Sequence, residues 1–315
     1  MPRIAFLGPE GTFSEAALRQ LVAAGLIPGQ GSNGVQPQSF DSTTAALDSV
    51  RADSADYACV PIENSIDGSV TPTLDNLAIG SPLQVFAEIT LDVAFSIVVK
   101  AGRSAGDVQT LAAFPVAAAQ VRRWITAHLP AVELRPANSN SDAARQVADG
   151  LVDAAVSSAL AADHFGLAAV ADDIVDEPNA RTRFVLVGRP APPPARTGAD
   201  RTSVVLRIDN APGALVAALN EFGIRGIDLT RIESRPTRVE LGTYVFFLDC
   251  VGHIDDDAVA EALRALHRRC ADVRYLGSWP TGVPAGAGPP SLEEASRWVE
   301  GLRRGGPAGA AGSGL

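Results

Sequence analysis

The stretch Pro190-Ala191-Pro192-Pro193-Pro194-Ala195-Arg196-Thr197-Gly198 constrains this chain more than any other. Proline fixes φ and carries no N–H, so neither a helix interior nor a central strand runs through it. The composition is that of a stiff, extended linker. A chain of 315 residues is too long for one ordinary core, and the break supplies the division. Residues 1–189 are expected to form one domain, 190–201 a linker, 202–279 a second domain, and 280–315 a tail rich in Pro, Gly and Ala.

The two parts differ in rhythm. Before the linker, β-rich apolar runs at 3–7, 57–62, 84–90, 94–100, 111–114, 154–157 and 182–187 alternate with helical stretches at 14–24, 43–52, 117–127, 142–149 and 159–165. That alternation implies an α/β fold with helices covering mostly parallel sheets, as one large domain or as two lobes with a cleft. After the linker, a strand at 202–208 precedes a helix at 212–222 that opens with Pro212. Strands at 228–234 and 242–251 follow, then a helix at 256–269 with Asp255 available as its cap, and a strand at 273–278. This βαββαβ order is the ferredoxin-like plan. The tail offers one short helix at 292–302, and its low-complexity end, 305–315, is expected to be disordered.

Several function classes are excluded by composition. No apolar run approaches the ~18–20 residues that a transmembrane helix needs. The N-terminus has only a five-residue apolar run, Ile4 to Gly8 counted with its glycine, which suits a buried first strand better than a signal peptide, so a cytoplasmic protein is expected. Cys59, Cys250 and Cys270 are far apart and lack zinc-like spacing, and His128, His164, His253 and His267 form no metal-ligand pair; no metal is expected. A net charge of −10 without a Lys/Arg stripe argues against nucleic acid. Any anion would have to be held locally, by arginines or helix N-termini.

Three polar clusters could carry chemistry. In Gly8-Pro9-Glu10-Gly11-Thr12-Phe13-Ser14 a strand passes through a glycine-bearing turn into a helix, which points free N–H groups at one place. An ordinary turn with a cap explains the same residues. Val60-Pro61-Ile62-Glu63-Asn64-Ser65-Ile66-Asp67 sets acid, amide and hydroxyl at a strand's carboxyl end, where open α/β sheets bind ligands. A solvated turn is the alternative. In Asn179-Ala180-Arg181-Thr182-Arg183-Phe184, a hydroxyl stands between guanidinium groups at the entrance to an apolar strand, where it could serve a bound anion or simply be solvated.

Taken together, Gly8–Ser14, the Pro-Ile-Glu-Asn-Ser run at 61–65 and the Thr-Arg-Phe at 182–184 resemble the signature motifs of prephenate dehydratases. Gly213-Ala214-Leu215-Val216 and Glu233-Ser234-Arg235-Pro236 resemble the paired motifs through which that family's ACT domain senses phenylalanine. The resemblance covers residues 1 to about 279, in the family's order. It implies a two-lobed α/β catalytic domain similar to type II periplasmic binding proteins, followed by a ferredoxin-like βαββαβ ACT domain. It also implies catalytic roles for Thr182, Glu63, Asn64, Ser65 and Gln120, and substrate contacts from Arg183, Phe184, Gly11, Thr12 and Ser14. The effector site would use Gly213, Ala214, Leu215, Val216, Glu233, Ser234, Arg235 and Pro236. One departure stands out: where the family often has Ser-His-Pro-Gln, this chain reads Ala113-Phe114-Pro115-Val116.

The implied reaction turns prephenate into phenylpyruvate, carbon dioxide and water, with L-phenylalanine as feedback effector and a homodimer or dimer of dimers as the working form. Regained aromaticity drives it, and neither cofactor nor metal is implied. Arg183 and the 8–14 helix start are assigned to the anions, Thr182 to the departing hydroxyl, and Glu63 to supplying a proton if burial raises its pKa.

Overall fold

The computed structural model describes residues 1–31, 34–238 and 242–305. The low-complexity end from residue 306 onward lies outside the described residues. The chain divides into two compact units, Met1–Pro193 and Pro194–Leu315.

The first unit opens with β1 (Arg3–Leu7), α1 (Phe13–Ala23), β2 (Gln36–Phe40), α2 (Thr43–Arg51), β3 (Tyr57–Asn64), β4 (Gly68–Ser69), α3 (Thr71–Ala78) and β5 (Gln84–Asp92). It continues with β6 (Phe95–Val99), β7 (Thr110–Ala113), α4 (Pro115–Gln120), α5 (Arg122–His128), β8 (Glu133–Pro136), α6 (Asn140–Ala148), β9 (Ala154–Ser157), α7 (Ala159–Phe165), β10 (Ala168–Ile174) and β11 (Arg181–Gly188). Two sheets result. One runs β2-β1-β3-β11-β5, with β4 beside β3; the other runs β10-β6-β9-β7-β8. The second lobe, β6 to β10, is thus inserted between β5 and β11 of the first. The outgoing β5 and the returning β11 lie side by side, and Val93 N–H donates to Ala180 O (2.7 Å) where the two segments cross.

That insertion corrects the expectation of mostly parallel sheets. β1 pairs parallel with β2 and β3, and β7 parallel with β8 and β9. β11 is antiparallel to both its neighbours, and β6 is antiparallel to β9 and β10. A chain that leaves a sheet and comes straight back beside its own exit has to return in the opposite direction, so each lobe acquires antiparallel pairs. Each lobe has its own core. Ile4, Phe6, Leu18, Leu21, Cys59 and Leu186 pack in the first, and Phe95, Ile97, Leu111, Val121 and Val156 in the second.

The single helix expected at 117–127 is two helices. The carbonyl of Gln120 accepts the N–H of Asp176 (2.7 Å), and the Asp176 carboxylate accepts the N–H of Arg123 (2.8 Å), so a loop from elsewhere ends α4 and starts α5 at Val121.

The second unit comprises β12 (Asp200–Arg207), α8 (Ala214–Gly223), β13 (Leu229–Pro236), β14 (Tyr244–Val251), α9 (Asp257–Arg269), β15 (Asp272–Pro280) and α10 (Glu293–Arg303). Its antiparallel sheet runs β13-β14-β12-β15, which is the ferredoxin-like arrangement. Val204, Leu206, Phe222, Leu248, Val259 and Leu266 form the core beneath α8 and α9. Two local expectations change. Pro212 precedes α8, whose cap position belongs to Gly213 in the left-handed region (φ 78°), and Asp256, not Asp255, occupies the cap of α9. The proline segment is pinned at its far end, where the Pro194 carbonyl lies 3.0 Å from His253 Nε2 and Arg196 pairs with Asp256 (2.8 Å).

Candidate active site

The carboxyl ends of β1, β3, β7 and β9 point towards the space between the lobes, where open sheets present their loops. A cavity of about 580 Å³ lies there. From the first lobe it is lined by Leu7 to Pro9, Thr12 to Ser14, Asp41, Pro61, Thr182 and Phe184; from the second by Phe114, Asn138, Ser139, Asn140 and Asp142. A cavity of about 500 Å³ at the opposite end of the first sheet, lined by Met1, Asp56, Tyr57 and Arg189 among others, holds none of the motif residues.

Thr182 sits at the floor of the cleft. It pairs across the sheet with Asn64, and the Asn64 amide donates to the Thr182 hydroxyl oxygen (Nδ2 to Oγ1, 2.9 Å). The amide's orientation is set by its other end, because Asn64 Oδ1 accepts the N–H groups of Ile66 (2.8 Å) and Asp67 (3.0 Å). Thr182 is therefore the acceptor in that bond, and its own proton remains for a group in the cavity. The register between β3 and β11 slips by one residue at Ile62. Such a bulge re-aims side chains, and here it lets both Pro61 and Asn64 match the cleft-facing residues Phe184 and Thr182.

Strand alternation sends the neighbouring residues elsewhere. Arg183 is buried with its guanidinium against Glu63 (3.0 Å) and Glu88 (3.2 Å), and neither Arg183 nor Glu63 lines the cavity. Arg183, expected as an anion ligand, and Glu63, expected as an acid, are thus brought to each other outside that lining. Ser65 also has another task. Its hydroxyl donates to Asn179 O (3.0 Å) and accepts from Arg181 N (2.9 Å), tying the 64–67 turn to the segment that enters β11. Gln120 is buried at the end of α4, with Nε2 3.5 Å from Asp67 Oδ2 and Oε1 without a partner; it is not among the residues lining the cavity. Phe184 is 2% exposed and belongs to the first lobe's core as well as to the cavity wall.

The 8–14 turn also differs in detail. Gly11 N–H is already bound by Glu15 (2.6 Å), and the Thr12 hydroxyl donates to Leu7 O (3.0 Å) and does not cap α1. Of this turn, Gly8, Pro9, Thr12, Phe13 and Ser14 line the cavity, and Glu10 and Gly11 do not. Across from them stands the start of α6, a feature absent from the expected site. Ser139 caps that helix by accepting from Asp142 N–H (2.9 Å). Burial opposes ionisation of Asp142, but the Asn138 N–H together with Arg145 and Gln146 holds its carboxyl below the usual range. The run Asn138-Ser139-Asn140-Ser141 ahead of an apolar helix face was the available signal. Two helix N-termini, each carrying the partial positive charge of its first turn, thus line one cleft from opposite sides.

In the second unit, Gly213 to Val216 start α8, and Glu233 to Pro236 end the edge strand β13. β14 lies between β13 and β12, the strand leading to α8, which at ordinary strand spacing puts about 10 Å between those two strands. Val216, Ile224, Ile232 and Tyr244 are exposed on this unit.

The fold and cleft define a class: a two-lobed α/β domain of the periplasmic-binding-protein kind, joined to a ferredoxin-like regulatory domain. The prephenate dehydratase family model matches residues 4–192, and the ACT domain model matches 202–268. The chain belongs to the prephenate dehydratase family. It is 76% identical over 307 residues to the prephenate dehydratase of Mycobacterium bovis (98% of this chain, 96% of that one). The prephenate dehydratase of Arthrobacter aurescens, solved in complex with L-Phe, is similar in structure (TM-score 0.85, 39% identity, 96% and 99% of the chains covered). A protein described as a novel type of quorum quenching acylase, GqqA, shares the fold (TM-score 0.77, 29% identity, 88% and 97% covered). Among the described residues no helix is long and apolar enough to cross a membrane, and no acidic, His or Cys cluster could hold a metal ion.

Proposed function

We infer that this chain converts prephenate to phenylpyruvate, carbon dioxide and water, and that L-phenylalanine regulates it through the ACT domain. The observation that carries the catalytic reading is the Asn64–Thr182 pair. It presents one oriented hydroxyl proton to a cleft whose two walls are helix N-termini. Prephenate has two carboxylates and a ring hydroxyl. Among the described residues lining the cavity there is no Arg, Lys or His, so the carboxylates would rest on the α1 and α6 starts, with Ser14 and Ser139 beside them. The C–C bond to the departing carboxylate breaks, its electron pair enters the ring, and the C–O bond to the hydroxyl breaks on the far side. Thr182 donates its hydrogen bond to that oxygen as negative charge develops there, and the departing hydroxide becomes water by taking a proton from solvent. One preorganised donor of this kind contributes about 3–4 kcal/mol. Glu63, already held by Arg183, is not given the proton; Asn64 and Ser65 act by orienting Thr182 and its turn.

Acylase chemistry is not favoured. It requires a nucleophile with an adjacent base, and the hydroxyls lining this cavity have no histidine or lysine among the described lining residues.

The separation of Gly213–Val216 from Glu233–Pro236 by β14 supports an effector site completed by a second subunit, and hence a homodimer or a dimer of dimers. Incubation with prephenate, followed by phenylpyruvate absorbance in alkali with and without phenylalanine, tests the reading. Turnover that phenylalanine suppresses is expected, and absence of phenylpyruvate refutes the assignment. Light scattering should report a multiple of 32.6 kDa, and a monomer with and without phenylalanine refutes the shared effector site.

A further inference from the structure

The turn at Pro9-Glu10-Gly11 belongs to the first lobe but is gripped from the second. Ser141, one residue beyond Asn140 in α6, is 1% exposed and donates to the carbonyl of Glu10. Ser158, at the cap of α7, is 5% exposed and donates to the carbonyl of Gly11 (2.8 Å). From the first lobe, Glu15 holds Gly11 N–H (2.6 Å) and is itself braced by Arg19 (2.6 Å). The approach is tight: a Cβ on Gly11, whose φ is +82°, would stand 3.0 Å from both Ala161 Cα and Ser141 Oγ. Phe13 packs edge-on against Phe95 of the second lobe (5.7 Å between centroids) just beyond the turn.

These contacts sit beside both anion-binding walls. Gly11 adjoins Thr12 at the α1 start, and Ser141 adjoins Asn140 at the α6 start. The spacing of the two walls is therefore set here. The Ser141 hydroxyl is not needed to cap α6, which Ser139 does. A serine has one proton, and both residues spend it across the lobe boundary.

We propose that Ser141 and Ser158 are positioning residues for the reaction, latching the second lobe onto the Glu10–Gly11 turn so that the α1 and α6 starts hold the substrate's carboxylates at a fixed separation. The proposal rests on the functional reading given above. Because cleft spacing is felt by bound substrate and transition state alike, loosening the latch falls on KM, whereas loss of the Thr182 proton falls on kcat.

The test uses the full chain with Ser141→Ala, Ser158→Asp and Ser158→Thr. Aspartate still caps α7 through Ala161 N–H, which Ser158 accepts at 3.1 Å, but an ionised carboxylate has no proton for Gly11 O. Threonine keeps both functions. Ser141→Ala and Ser158→Asp are expected to raise KM for prephenate about tenfold each with kcat largely kept, the scale of one lost hydrogen bond; Ser158→Thr should behave as the parent. Amide exchange without substrate should quicken in peptides covering 8–15 and 138–146, and stay unchanged in the second unit. Parent-like KM and exchange in folded Ser141→Ala overturn the latch, as does a fall in melting temperature without a change in either. The exchange measurement stands without turnover. A parent chain inactive on prephenate therefore refutes the functional reading and leaves the latch to be decided by exchange alone.

Discussion

Replacing Asn64 by aspartate isolates the proton on Thr182. The two side chains have the same shape, and the oxygen that accepts Ile66 and Asp67 N–H groups is kept. What changes is the atom 2.9 Å from Thr182 Oγ1, a donor N–H₂ that becomes a carboxylate oxygen. Two oxygens at that distance need a proton between them, and threonine has the only one. Its hydroxyl turns towards the carboxylate in a charge-assisted bond worth about 1.5–3 kcal/mol, and the cleft loses its donor. Asn64→Asp is therefore expected to lower kcat by about two to three orders of magnitude, the effect of deleting one preorganised donor. Thr182→Ala should do the same, and Thr182→Ser should retain far more activity because it keeps the hydroxyl. Both substitutions remove one proton from one place, so the double variant should be about as slow as either single variant. Steady-state kinetics with prephenate, alongside thermal melts that confirm folding, decide the matter. A folded Asn64→Asp enzyme within about threefold of the parent kcat, or single effects that add in the double variant, would refute the orientation argument.

Three further outcomes are expected. Gly213→Val forces a β-branched residue into a left-handed φ of 78° at the start of α8, and should abolish phenylalanine inhibition while prephenate turnover persists; unchanged inhibition would move the effector site elsewhere. Glu221 is held below the usual carboxylate range by hydrogen bonds from Arg225 first and Arg269 second, at 2.7 and 2.8 Å. A depressed folded pKa stabilises fully above the unfolded value of about 4.3 and fades as pH falls through the folded one, so the deficit of Glu221→Gln in melts should be largest near neutrality and shrink below about pH 4. Phe222, 1% exposed in the second unit's core, should cost about 3–5 kcal/mol on truncation to alanine, read by denaturant unfolding of that unit.

The sequence by itself determined a good deal. Every buried central strand was legible, because β1, β3, β6, β7, β9 and β11 are continuous apolar runs and burial demands that composition. Besides the two-residue β4 beside β3, the strands it did not announce, β2, β8 and β10, are all sheet edges. An edge needs no apolar signature and tolerates proline, as in Gln36-Pro37-Gln38-Ser39-Phe40 and Glu133-Leu134-Arg135-Pro136. The motif residues Thr12, Ser14, Asn64 and Thr182 could be named from local pattern and family resemblance, since each sits at a strand or helix end whose chemistry is written in adjacent residues.

Only the tertiary structure decided which of them meet. Whether a residue faces the cleft depends on strand phase, and a single bulge at Ile62 shifts that phase; Asn64 and Thr182 share one face while Glu63 and Arg183 are turned to the other and spend their charges on each other. The second wall of the site comes from Asn138 to Asn140, on a lobe inserted between β5 and β11, and the break at Val121 is imposed by Asp176 from a distant loop. Local pattern reports what each segment needs from its neighbours in sequence. Contacts made across the fold, where an occupied hydrogen bond or ion pair removes a group from chemistry, are settled only when the segments pack.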